Sequence, residues 1–303
     1  MKLLAPPSRP SFARSTLATA ALALALAAVS APVASAANPA DTPSVCASSE
    51  QVGPLAVPTT ATTARKTALT SQQAIATRRV RVYVHVLRTK QGGGATDARI
   101  RQQIAVMNNA YAGRQSQAAA VTPFRFRIAR IDRTTNARWY RMDEGTITEG
   151  HAKRALHRGN ADDLNLYVGM NRSGSLGWGT QPGGYDRSPQ LDGVVIRRTT
   201  MPGGKPGHYS AGDAAVHETG HWLGLLHTFA GRCGTRGDLV ADTPREARPS
   251  YTCPIRRNTC TAPGLDPVHN FMDYSYDSCM NQFTSGQVTR MRQMWWSFRA
   301  GGG

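Results

Sequence analysis

Residues 81–87 (RVYVHVL) alternate apolar and polar side chains, which sets Val82, Val84 and Val86 on one face and predicts a strand. The period then changes. Across residues 97–112 (DARIRQQIAVMNNAYA), Ile100, Ile104, Met107 and Tyr111 fall at helical spacing, with Asp97 placed as the cap. Residues 124–131 (FRFRIARI) return to alternation, as a half-buried strand requires. Residues 164–168 and 194–196 are short apolar runs that suit further strands, with a Gly-rich passage at 171–184 between them. Strands interleaved with helices predict a mixed α/β sheet over one main core. No internal repeat is visible.

The two ends of the chain break this pattern. Lys2, Arg9 and Arg14 precede an apolar run at 17–29 and the small residues Ala34-Ser35-Ala36, so residues 1–36 read as a signal peptide. That run is shorter than the ~20 residues of a membrane span, and no second one follows. Residues 37–78, rich in Ala, Thr, Ser and Pro, read as a linker or pro-segment that cannot bury much core. Residues 79–303 are then the mature domain of an exported, extracellular protein. The last 75 residues contain many turn formers and one clear helical pattern, at 285–298. Disulfides or metal are expected to stabilise what so small a core cannot.

Four of the five cysteines, Cys233, Cys253, Cys260 and Cys279, cluster in that last quarter. In an exported chain they read as two disulfides, for which three pairings exist. A four-thiolate zinc site competes, but spacings of 19, 6 and 18 intervening residues contain no close Cys pair. Charge adds a different possibility. The chain carries +17, of which +13 lies in residues 79–303, so a partner such as nucleic acid or an anionic polymer has to be weighed. The 31 arginines are scattered, however, and no nucleic-acid-binding motif appears, so no specific nucleic-acid partner is expected.

The strongest chemical signal is HETGHWLGLLH, residues 217–227, which concentrates three of eight histidines and one of five glutamates. On a helix capped by Ser210 or Asp213, His217 and His221 project from one face. Gly224 can end that helix in a left-handed conformation and bring His227 round as a third ligand. Three protein ligands leave the fourth zinc position open, as a catalytic site requires. Glu218, next to the first ligand, can take the proton of an attacking water. Chance would produce this pattern in this composition on the order of 10⁻⁵ times per chain. The other histidines (His85, His151, His157, His208 and His269) share no ligand spacing and read as surface or satisfied core residues.

HETGHWLGLLHTFAGRC, GDLVADTP (residues 237–244) and NFMDYSYDSCMNQFTSGQVTRM together resemble the pappalysin family of metzincin zinc peptidases, in its ulilysin-like secreted bacterial branch. The close motifs cover residues 208–291. The resemblance implies an α/β (α+β) metzincin-type catalytic domain. A twisted mixed sheet with the active-site helix, up to about residue 224, would lie above an irregular disulfide-linked subdomain at 225–303. It implies an endopeptidase with Zn²⁺ on His217, His221 and His227, Glu218 as general base and protein or peptide substrates, acting as a monomer. Met272 would form the floor under the metal in a Met-turn, Tyr274 would stabilise the oxyanion, and Thr228 would support the ligands. The implied disulfides are Cys233–Cys260 and Cys253–Cys279. A structural Ca²⁺ is implied near residues 237–244, where Asp238, Asp242 and Thr243 offer hard oxygens. LGWGT (176–180) resembles the edge strand that receives substrate. Ser278 stands where an acid selects basic side chains in relatives, with Asp277 one residue earlier. Cys46 offers a pro-segment thiolate that could close the open zinc position. A binding module that has lost catalysis is the competing reading; retention of Glu218 and all three histidines speaks against it.

Overall fold

A computed structural model describes residues 76–204 and 207–301. The expected signal peptide (1–36) and most of the expected pro-segment (37–78), with Cys46, lie outside the described residues. Five strands form one sheet: β1 (Arg78–Arg88), β2 (Phe124–Thr135), β3 (Leu164–Gly169), β4 (Gly177–Gly179) and β5 (Val194–Arg197). Their order is β2-β1-β3-β5-β4, all parallel except β4, which pairs antiparallel with β5 at one edge. Val80, Val82, Val84 and Val86 of β1 face the main core, the last three in register with Leu164, Leu166 and Val168 across the ladder. Tyr167 and Val195 point to the opposite face, into a smaller cluster with Trp178. The alternation in β2 skips a beat: Phe124, Phe126 and Ile128 are followed by Ile131. A register shift opposite Val82 and Tyr83 leaves Ala129 unpaired and returns Ile131 to the core face.

Helix α1 (Asp97–Tyr111) lies on the core face of the sheet with Ile100, Ile104 and Met107 buried. Its cap is Thr96, whose hydroxyl accepts from the Arg99 amide, and not the expected Asp97, which occupies the first turn. The short α2 (Ala137–Tyr140) and α3 (Ile147–Leu156) cover the other face and have no counterpart in the sequence reading. The signal for α3 was present as Thr146-Ile147-Thr148-Glu149. Thr146 accepts from the Glu149 amide, and Glu149 reaches back to the Gly145 amide.

Helix α4 (Asp213–Trp222) is buried along its whole length against β5, β4 and α1. Neither Ser210 nor Asp213 caps it. Gly212 occupies the cap position with φ +110°, and Asp277, from far along the chain, accepts from the Ala211 amide at 2.6 Å. The C-terminal helix α5 (Ser285–Phe298) begins with a capping box from Thr284 and Gln287 and returns Met291 and Trp295 to the main core. Between α4 and α5 the chain is irregular and is joined by Cys233–Cys260 and Cys253–Cys279. No helix among the described residues is long and apolar enough to cross a membrane.

A buried ion pair locks the ends of α4 and α5 to the sheet edge. Asp192 accepts from Thr180, from the Trp222 indole at 2.8 Å and from both terminal nitrogens of Arg299. Burial alone would raise the Asp192 pKa, but Arg299 outweighs it and holds the carboxyl below its usual range. Arg299→Ala would leave this carboxylate buried without its cation. It is expected to cost about 3–5 kcal/mol of stability, measured by urea unfolding.

Candidate metal centre

His217 and His221 stand four residues apart on α4, and both rings project from the same side of the helix. The helix ends in a Schellman turn. The Leu225 amide donates to Gly220 O at 2.9 Å, and the Gly224 amide donates to His221 O at 2.8 Å. Gly224 has φ +93°, and a Cβ there would also lie 2.5 Å from Met294 Cγ, so the turn requires glycine twice over. The chain that leaves the turn carries His227 back toward the helix. One ring nitrogen from each of the three histidines falls within 4.8 Å of the others.

Backbone carbonyls set the tautomers. His217 Nδ1 donates to Phe271 O at 2.6 Å and His221 Nδ1 to Leu225 O at 2.9 Å, which leaves each Nε2 as a lone pair. Nε2 of His221 lies 3.0 Å from Nε2 of His227. Nε2 of His217 is buried with no hydrogen-bonding partner among the described residues. Burial, aided by His221, pushes the His217 pKa down to about 3; burial takes His221 to about 4 and His227 well below its ordinary value. The three rings are therefore neutral at physiological pH. Three neutral nitrogens converging in a buried space fit a soft-to-borderline divalent metal.

Glu218 is buried beside these rings, under the edge strand β4. A Cβ on Gly177 would lie 2.9 Å from Glu218 Cγ, and one on Gly179 would collide with Glu218 O. The glycines of LGWGT thus allow β4 to run close over the helix. Met272 is fully buried, and its sulfur occupies the space that a side chain at Gly220 would need, below the histidine helix. Asn270 holds this turn, accepting from the Met272 amide and exchanging side-chain hydrogen bonds with Gln287. The Tyr274 hydroxyl lies 3.3 Å from His227 Nε2. Its ring meets Phe229 edge-on, and Phe229 stacks on His227 at 4.7 Å.

Other expected residues take different places. Asp242 is engaged at the start of α5, accepting from Thr284 Oγ1 and from the Gly286 amide at 2.7 Å each. Asp238 and Thr243 are buried next to each other, and the Thr243 hydroxyl hydrogen-bonds to the carboxylate. Burial raises the Asp238 carboxyl to about 7. Asp277 is turned inward to the start of α4, whereas Ser278 is exposed. His85 is a satisfied core histidine between Asp132 and Asn165. Cys253, His269 and Cys279 lie close together, but the disulfide occupies both sulfurs.

The sequence reading missed two residues near the centre. Gln181 donates to Leu225 O at 3.0 Å, supporting the carbonyl that orients His221. Glu246 accepts from the Thr228 hydroxyl at 2.8 Å. Both lie in stretches without periodicity, where no pattern marks a polar residue as buried.

Residues 205–295 match the profile of a peptidase family described as pregnancy-associated plasma protein-A. An extracellular metalloprotease of Pyricularia oryzae is 46% identical over 225 residues, which cover 72% of this chain and 75% of the relative. One from Coccidioides posadasii is 40% identical over 73% and 78% of the two chains. Mature mirolysin of Tannerella forsythia, solved with a cleaved peptide, matches with a TM-score of 0.59 and 29% identity, covering 74% of this chain and 96% of its own. These relatives share the family to which the histidine helix, its exit turn and the methionine turn had pointed: the chain belongs to the pappalysin family of metalloproteases, which hydrolyse peptide bonds.

Proposed function

We propose that the protein is a zinc-dependent endopeptidase, exported as a precursor and acting on extracellular proteins or peptides. His217, His221 and His227 would hold the metal and Glu218 would be the general base. The observation that carries this reading is the convergence of three buried, neutral imidazoles, with His217 Nε2 lacking a protein partner among the described residues. Zinc, when bound, supplies a Lewis acid that polarises the scissile carbonyl and makes water acidic enough to attack at neutral pH. Glu218 accepts the proton of the attacking water and returns it to the amide nitrogen as the C–N bond breaks. The Tyr274 hydroxyl donates to the oxygen that becomes negative. Met272 supports the ligand helix from below. An extended substrate adds to the unpaired side of β4, where Gly177 and Gly179 keep its backbone close to Glu218.

Residues 1–36 would direct export, and 37–78 would keep the enzyme latent, with the Cys46 thiolate on the zinc. With Ser278 exposed and Asp277 turned inward, no acid at this pair of positions anchors a basic substrate side chain, so the preference is expected to differ from that of Arg- and Lys-selective relatives. A structural calcium ion at Asp238 and Thr243 would draw on buried oxygens, the hard donors that calcium prefers.

Glu218→Gln is expected to retain one zinc per mature chain and lose at least about 100-fold in kcat. Zinc content and chelator-sensitive proteolysis, measured on both proteins, test this; a fully active variant would remove Glu218 from the mechanism. At pH 6 an ordinary histidine, with pKa near 6.5, is about three-quarters protonated. His217 and His221, held to about 3 and about 4, are already neutral there, so zinc binding releases almost no protons from them. Zinc affinity then falls steeply only as the pH drops toward about 4. Calorimetry in buffers of different ionisation enthalpy reads the proton count directly. Calcium removal that spares the zinc should lower Tm in wild type and leave Asp238→Asn unmoved; equal responses would argue against the calcium site.

A further inference from the structure

Below the metal centre, three carboxylates surround one arginine. Glu246, Asp273 and Asp266 are buried. Arg257 donates to Glu246 Oε1 at 3.0 Å, and its Nε lies 3.3 Å from Asp266 Oδ2. Burial, reinforced by the charge of Asp273, raises the Glu246 carboxyl above its ordinary range, so placing it here is unfavourable by itself.

Its two oxygens make two connections. Oε2 accepts from the hydroxyl of Thr228, the residue directly after His227, at 2.8 Å. Oε1 accepts from Ser250 Oγ at 2.9 Å. The Ser250 amide donates to Asp273 Oδ1 at 2.9 Å, and that oxygen also accepts from the Tyr274 amide at 2.8 Å. The two arms meet again above, where the Thr228 amide donates to Met272 O at 3.1 Å. Both His227 and Tyr274 sit on irregular chain, without the repeating hydrogen bonds that fix His217 and His221 on α4. A ligand must be held within about 0.5 Å of its working position, so some other device has to supply that precision.

We infer that Glu246 is a positioning residue, which fixes the third metal ligand through Thr228 and the Tyr274 turn through Ser250 and Asp273. This rests on the metalloprotease reading above. Glu246 acts through its neighbours and takes no part in bond making.

Four substitutions separate positioning from general support. Glu246→Ala removes both arms. Glu246→Gln keeps an acceptor for Ser250 and Arg257 and offers Thr228 a donor. Thr228→Val cuts only the arm to His227. In zinc competition against a chromogenic chelator, Glu246→Ala and Thr228→Val are expected to bind about 10–100-fold more weakly than wild type, and Glu246→Gln within about threefold of it. Asp266→Asn, on the far side of Arg257, should lower Tm without weakening zinc. Folded Thr228→Val with wild-type zinc affinity and kcat overturns the inference, whether or not Glu246→Ala folds. It is also overturned if Asp266→Asn weakens zinc as much as Thr228→Val, which would indicate general loosening. If wild-type protein neither binds zinc nor cleaves peptides, the metalloprotease reading fails and takes this one with it. If wild type does both and Thr228→Val is unchanged, the positioning role alone fails.

Discussion

Nε2 of His221 and Nε2 of His227 face each other across 3.0 Å inside the protein, and Nε2 of His217 points into the same space. Ring nitrogens this close need a proton or a metal ion between them, and apolar packing supplies neither. Burial has also removed the usual escape, because protonation would place a charge where water cannot solvate it. Much of the surrounding structure can be read as what this arrangement requires. The carbonyls of Phe271 and Leu225 hold the Nδ1 protons away from the centre. The turn after α4 reverses the chain within three residues, so that a third ring can join two that share a helix face.

A second constraint follows from the first. If the ligand helix is buried on all sides, anything that reaches it must pass between it and a neighbouring element. Glycine supplies that closeness on both flanks. Gly177 and Gly179 bring β4 down onto Glu218, and Gly220 admits the sulfur of Met272 from below. A side chain at any of these positions would push apart the layers that bring Glu218, the three histidines and the edge strand together.

The strands, the main helices and the histidine site were legible because each repeats a period or a fixed spacing. Val82, Val84 and Val86 mark one sheet face; His217 and His221 mark one helix face; Gly224 marks the exit. Some local roles are taken by partners distant in sequence. Asp277 replaces the expected cap of α4, and Asp242 serves the start of α5. Glu246 and Gln181 escaped notice for a related reason. Hydrogen bonds made in irregular chain leave no periodic trace, and burial of a single glutamate cannot be told from exposure without knowing what folds over it.

The site therefore straddles two kinds of order. His217, His221 and Glu218 are positioned by a helix whose Ala215, Val216 and Trp222 pack into the main apolar core. His227 and Tyr274 lie on irregular chain held by turns, two disulfides and a buried polar network, beside a small apolar cluster that includes Phe229 and Leu176. In the chain-entropy account, closing loops of 27 and 26 residues contributes roughly 3–4 kcal/mol per disulfide, and this acts by restricting the unfolded chain. Such crosslinks hold the segment together without specifying where a ring nitrogen points. That precision has to come from directional bonds, which is why a buried carboxylate, costly on its own, sits where the helix can no longer do the positioning.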